Sequence, residues 1–172
     1  MSRVGKAFWI WCQFIKDDMD FLKDIQLQLF KDFKSPFFEI HLTLYGPYYS
    51  KKNLKKNKIY EICKTIKPTK IKAIDYKITK NIYTSIFIDI LKSKNITLIK
   101  NNFKKVLPVS NKDFIFKPHI SLIYGNFPRK EKLRYLNKLP SIKNKEFTIK
   151  NIAIADVDEK INKWKIIERV SL

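Results

Sequence analysis

Hydrophobic positions along this chain follow two periods, and the two periods alternate in the same order twice. Residues 6–15 are bulky and aromatic on both alternating faces, the pattern of a strand buried on two sides. From Asp17 to Phe33 the spacing turns helical, with Phe21, Leu22, Ile25, Leu29 and Phe33 on one stripe and acidic residues in the first turn. Ser35-Pro36 breaks that helix, and residues 37–45 read as a strand closed by a turn at Gly46-Pro47. A lysine-rich loop leads to a helix over 54–66 that Pro68 ends, and residues 70–79 alternate as a strand. The second half repeats the order. A strand over 82–91 precedes a helix over 94–107, marked by Ile96, Ile99, Phe103 and Val106 and stopped at Pro108. Residues 114–124 form a strand, Pro128 opens a short basic helix to about Leu139, and strands near 146–157 and 163–170 finish the chain.

The repeat extends to side chains that carry chemistry. The chain has two histidines, and each begins a strand of the form histidine, aliphatic, hydroxyl, aliphatic: His41-Leu42-Thr43-Leu44 and His119-Ile120-Ser121-Leu122. Tyr45-Gly46 follows the first and Ile123-Tyr124-Gly125 the second, so two of only three glycines close these motifs. The histidines lie 78 positions apart, and the strand and helix before them recur at nearly the same offset, Trp9 against Ile86 and Asp17 against Lys94. This predicts two pseudo-symmetric β-α-β-α-β lobes around a central cleft. One domain over 1–172 is expected, with lobes of about 1–80 and 81–172 that exchange terminal strands.

Residues i and i+2 of a strand share a face. Each motif therefore presents an imidazole and a hydroxyl side by side, with the aliphatic residues turned inward. Two such units facing each other make an acid–base pair with hydroxyl donors for an oxyanion. That arrangement suits opening of a cyclic phosphodiester, or the transesterification that forms one. A single histidine–hydroxyl strand would carry little weight, since ordinary buried strand histidines are common. Two copies, using every histidine of the chain inside a sequence repeat, carry much more.

Bulk properties narrow the picture. At 45% hydrophobic and 14% aromatic, the chain has enough apolar material for a packed core. A net charge of +20 suits an anionic partner, yet only Arg3, Arg129, Arg134 and Arg169 among its 36 basic residues are arginine, the residue that phosphate recognition favours. Cys12 and Cys63 form no metal-ligand spacing, so neither zinc nor a disulfide framework is expected, and a reducing, cytoplasmic setting is. The apolar run after Lys6 contains Gln13 and leads into Lys16-Asp17-Asp18, reading as a strand rather than a signal peptide. No apolar stretch is long enough to span a bilayer.

Other residues are weaker candidates. Tyr45 shares the strand face of His41 and Thr43 and is a candidate for the cleft wall; a rim aromatic packed on the sheet fits equally. Tyr48 and Tyr49 stand where they could stack a base or anchor a loop. Trp9 and Trp11 share one strand face, expected to be core rather than cleft floor. Lys51, Lys52, Lys55 and Lys56 form a cationic patch suited to RNA phosphates, and Lys117, two residues before His119, could hold a phosphate at the cleft edge.

His41-Leu-Thr-Leu and Lys117-Pro118-His119-Ile-Ser-Leu-Ile-Tyr124-Gly125 resemble the two His-x-Thr/Ser signatures of the 2H phosphoesterase superfamily. This group includes RNA 2′,3′-cyclic phosphodiesterases, the so-called 2′-5′ RNA ligases, and plant and yeast cyclic nucleotide phosphodiesterases. The motifs themselves occupy under a tenth of the chain, while the strand–helix order matches over almost all of it. The resemblance implies an α+β, bilobal, duplicated fold with antiparallel sheets lining a cleft and helices outside, with no metal and no cofactor. It implies His41 and His119 as the acid–base pair, Thr43 and Ser121 as phosphate ligands, and Tyr124 as a substrate or water contact. Ile40 stands where members often carry proline, and the bridging cysteines of some plant members have no counterpart. The expected substrate is a nucleotide, RNA end or ADP-ribose bearing a cyclic phosphate, handled by a monomer away from membranes. A 2′-5′ oligoadenylate or cyclic oligonucleotide signal is the alternative substrate, and a non-catalytic basic RNA-binding module the alternative of another kind. The sequence does not assign acid and base between the two histidines.

Overall fold

The computed structural model describes residues 7–49, 55–107 and 115–172. Seven strands and four helices follow in chain order: β1 (Ala7–Phe14), α1 (Lys16–Phe33), β2 (Leu42–Tyr48), α2 (Lys56–Thr65), β3 (Thr69–Ile78), β4 (Ile86–Ile90), α3 (Lys94–Val106), β5 (His119–Ile123), α4 (Arg129–Leu136), β6 (Glu146–Val157) and β7 (Lys165–Ser171). All strands pair antiparallel in the order β1-β2-β5-β4-β3-β6-β7, and β1 also pairs with β6.

That order is a pseudo-twofold. β1 pairs with β2 and β6, while its counterpart β4 pairs with β5 and β3. The third strand of each repeat thus joins the first strand of the other, and β7 is the unduplicated addition. The helices cross over as well: α1 packs on β5, and α3 packs on β2. A main core results, running from Phe8, Ile10 and Leu22 through Ile88 and Phe103 to Phe147 and Ile152, with a smaller second cluster of Trp11, Ala153, Ala155 and Val157.

The helices form where the stripes predict. α1 buries Leu22, Ile25, Leu29 and Phe33, each full burial stabilising by roughly 1.5–3 kcal/mol. Asp17 and Asp18 favour its positive N-terminal end, and Asp18 also accepts the Thr148 N–H at 2.7 Å, tying the helix start to β6. Ser93 caps α3 by accepting from the Ile96 N–H. The expected helix stop at Pro108 lies outside the described residues.

The chain departs from expectation at Gly46-Pro47. Rather than turning there, β2 continues through a cis Gly46–Pro47 peptide to Tyr48, which pairs with Phe8. Gly46 has φ +141°, and a Cβ there would lie 2.7 Å from the Trp9 ring. The missing side chain lets the strand pass directly under that indole, so ladder pairing with β1 prevails over the Gly-Pro tendency to turn.

Candidate active site

Both motif histidines line one cleft of about 380 Å³, together with Thr43, Lys117 and Tyr124. Each histidine is aimed by the same local bond. His41 Nδ1 lies 2.6 Å from the Glu39 carbonyl oxygen, and His119 Nδ1 lies 2.8 Å from that of Lys117. A carbonyl can only accept, so both Nδ1 atoms carry the proton and both Nε2 atoms are left for chemistry.

Their surroundings differ. His41 is buried, with the Trp11 indole stacked on it at 3.6 Å and 8°. Burial lowers its pKa to about 3; the Glu39 carbonyl opposes the shift, and a charge on His119 adds to it. His119 is half-buried and meets Phe87 edge-on at 5.4 Å. Trp11 pairs with Thr43 and Phe87 with Ser121, so indole and phenyl occupy matching places in the two repeats.

The hydroxyls differ more sharply. Thr43 opens on the cleft. Ser121 is buried, donates to the Tyr83 carbonyl at 3.0 Å, and bonds the Tyr124 phenol. The expected symmetry of two hydroxyls facing the cleft is thus broken, because the 3₁₀ turn Ile82–Thr84 before β4 brings the Tyr83 carbonyl onto the Ser121 hydroxyl.

Two tyrosines fall elsewhere than the cleft wall. Thr43 pairs with Trp11 and Tyr45 with Ile10, two residues facing one, which places a β-bulge at Leu44. Beyond the bulge the alternation is inverted, and Tyr45 is turned into the core against Tyr48. Tyr48 is likewise core, its phenol bonded to the Leu107 carbonyl at 3.3 Å, so it is no base-stacking platform. Tyr49 is exposed. The same bulge recurs after Ser121, where Phe87 pairs with Ser121 and Ile86 with Ile123. Ile123 then takes the core position of Tyr45, and Tyr124, one residue later, reaches the cleft. There it stacks on Phe38 at 3.9 Å, while Ser35 bonds both its backbone N–H and its carbonyl. Burial pushes the Tyr124 phenol well up, so it stays neutral.

Trp9 and Trp11 line the cleft, while Trp11, 2% exposed, is also core as expected, in a small buried cluster with Ala153, Ala155 and Val157 against which Trp9 packs. Across β1 they face Ala155 and Ala153 of β6, whose small side chains leave room for indoles on that face. With Trp164, Tyr83 and Tyr124 they make an aromatic wall. Trp164 lies 6.1 Å from Trp11, 6.3 Å from Tyr83 and 5.5 Å from Tyr124, and its indole N–H donates to the Asp158 carbonyl. Sequence reasoning missed Trp164, Tyr83, Asn81, Thr84, Ile115 and Val157, which also line the cleft. The one available signal was tryptophan itself, since all three in the chain converge here.

Of the lysine patch, Lys51 and Lys52 lie outside the described residues. Lys55 is exposed, and Lys56 pairs with Glu168 of β7 at 2.7 Å. Among the described residues no three His, Cys, Asp or Glu side chains gather as metal ligands do, and no helix is long and apolar enough to cross a membrane.

The fold is shared with known structures. The chain superposes on Escherichia coli LigT in complex with 3′-AMP with a TM-score of 0.65 at 11% identity, covering 97% of this chain and 98% of that one. TT0787 of Thermus thermophilus gives 0.62 at 14% identity over 96% and 97%, and Kluyveromyces marxianus Usb1 gives 0.50 at 11% over 97% of each. A further match is described as a phosphoesterase, with a TM-score of 0.64 at 10% identity over 97% of this chain and 98% of that one, and the likeness establishes their α+β fold with its antiparallel sheet for this chain. By sequence alone the chain matches no family model and no curated protein.

Proposed function

We propose that this protein is a phosphodiesterase of the 2H type that opens a cyclic phosphate on a ribose. The observation that carries the reading is the pair of histidines at one cleft, each with Nδ1 tied to a carbonyl two residues back and Nε2 left free. His41 is neutral across the physiological range and acts as base. Its Nε2 takes a proton from water as the water oxygen bonds to phosphorus. The phosphorus–oxygen bond to one ribose oxygen breaks, and His119 Nε2 gives that oxygen its proton. The product is a phosphomonoester with one free hydroxyl, and solvent restores both imidazoles. An anionic phosphate beside His41 favours its protonated form during the reaction itself.

Thr43 supplies a donor to a non-bridging oxygen as charge redistributes, Lys117 holds the phosphate at the cleft edge, and Tyr124 contacts water or substrate. The aromatic wall offers flat faces to a nucleobase. A nucleotide substrate agrees with the crystal structures of LigT holding 3′-AMP, NADP+, ATP or phosphate. The lysine-rich exterior would draw an RNA end toward the cleft.

The test is incubation with 2′,3′-cyclic nucleotides, cyclic-ended RNA, ADP-ribose cyclic phosphate, and 2′-5′ or cyclic oligonucleotides, in EDTA, with products resolved as 2′- or 3′-phosphates. Turnover of cyclic phosphates, undiminished by EDTA, is expected because imidazoles move the protons. Turnover of the oligonucleotide signals alone would replace the substrate. Salt-sensitive RNA binding that survives loss of both histidines, with no turnover of anything, would leave a binding module in place of an enzyme.

A further inference from the structure

The carbonyl that aims His41 belongs to Glu39, which lies ahead of β2 and outside any strand. Its side chain is fixed instead. Gln13 of β1, 3% exposed, donates from Nε2 to Glu39 Oε1 at 3.0 Å. Arg169 of β7 donates from Nε to Gln13 Oε1 at 2.9 Å and from its guanidinium to Glu39 Oε1 at 3.2 Å. Each of the three side chains touches the other two, and this closed triangle fixes the orientation of the Gln13 amide.

The second motif is anchored differently. There the Ile90 N–H donates to the Pro118 carbonyl at 3.1 Å, so backbone pairing holds the segment before His119. From these contacts we infer that Arg169, Gln13 and Glu39 are positioning residues for the His41 imidazole, with Arg169 brought to the site by the one strand outside the repeat. The guanidinium suits this task because a rigid fork can meet an amide oxygen and a carboxylate together, which an ammonium cannot do in one geometry. Second-layer bonds of this kind orient the group in contact with substrate. As to catalysis, the inference rests on the reading of His41 as base; as to orientation, it does not.

The experiment compares Arg169→Met, which keeps the aliphatic stem, with Arg169→Lys and Glu39→Gln. Nitrogen shifts of the two imidazoles are measured by NMR beside kcat and KM on the cyclic phosphate found to be turned over. In the wild type, His41 is expected as the Nδ1–H tautomer. In Arg169→Met its signals move toward mixed tautomers while those of His119 stay, kcat falls about tenfold, and KM holds. Arg169→Lys falls between the two, and Glu39→Gln shifts His41 in the same direction. Unchanged His41 signals with unchanged kcat would overturn the inference. So would equal disturbance of both histidines, which marks general loss of structure. Should the wild type turn over no substrate, the proposed function falls, while the imidazole spectra still decide the positioning role.

Discussion

His41 and His119 make the same bond to the backbone and then diverge in everything around it. His41 lies beneath Trp11 in a buried setting that keeps it neutral, beside an open Thr43. His119 is reached by solvent, beside a Ser121 already bonded to Tyr83. Duplication supplied two equivalent imidazole–hydroxyl units. The elements laid over each unit then left one imidazole buried and neutral beside an available hydroxyl, and the other half-buried beside an occupied one. The lesson is that a repeat conserves how a group is aimed more readily than what surrounds it.

The most direct way to break this comparison is to remove each imidazole. His41→Ala and His119→Ala should each lower kcat/KM about a thousandfold or more, with the fold intact by circular dichroism. The wild-type kcat/KM should not fall between pH 7 and pH 5 through His41, which stays deprotonated to about pH 3. An acid limb near the ordinary imidazole value that vanishes in His119→Ala would move the base role to His119.

The hydroxyls should separate next. Thr43→Val is expected to lose about a hundredfold in kcat, against about tenfold or less for Ser121→Ala, whose hydroxyl serves the Tyr83 carbonyl. The reverse order would show that Ser121 turns to the substrate when phosphate is present.

The motif glycines distinguish site from scaffold. At Gly46, φ +141°, a Cβ would strike the Trp9 ring, and at Gly125, φ +137°, it would lie 2.6 Å from the Phe127 ring. Phe127 packs on Phe33 at 4.9 Å. Either alanine variant should cost about 2–3 kcal/mol of stability by denaturant unfolding. Only Gly46→Ala should also raise KM, since it alone displaces a residue of the cleft.

The smallest effect concerns pH. The His41 pKa is lowered in the folded chain, so as pH falls below about 6.5 the unfolded chain takes up a proton that the folded chain refuses. His41 therefore costs stability progressively from about pH 6.5 down to its folded value of about 3. Between pH 7 and pH 5 the loss is about 2 kcal/mol. His41→Gln should show a correspondingly shallower decline in denaturant midpoint over that range, whereas equal slopes would mean that His41 titrates normally.

Element order was legible in the sequence because strand and helix periods are local. α1 and β6 fall within a residue of the positions their periodicity predicts, and the paired motifs marked both histidines. Periodicity misplaced Tyr45 because a bulge at Leu44 inverts the alternation, and a bulge is a matter of pairing with another strand. It did not reveal that the buried face of Trp9 and Trp11 also lines the cleft, because an apolar strand face reads alike whether it meets a core or an aromatic cleft.

By itself, the sequence determined the duplicated β-α-β-α-β order and the chemical identity of the two imidazole–hydroxyl units, since both rest on spacing within single elements. Only the tertiary structure decided that Ser121 is covered, that Tyr124 rather than Tyr45 reaches the cleft, that three tryptophans meet there, and that Arg169 stands behind His41. Those outcomes depend on which strands pair and in what register, and residues up to 156 positions apart, as Gln13 and Arg169 are, leave no shared period for a sequence to reveal.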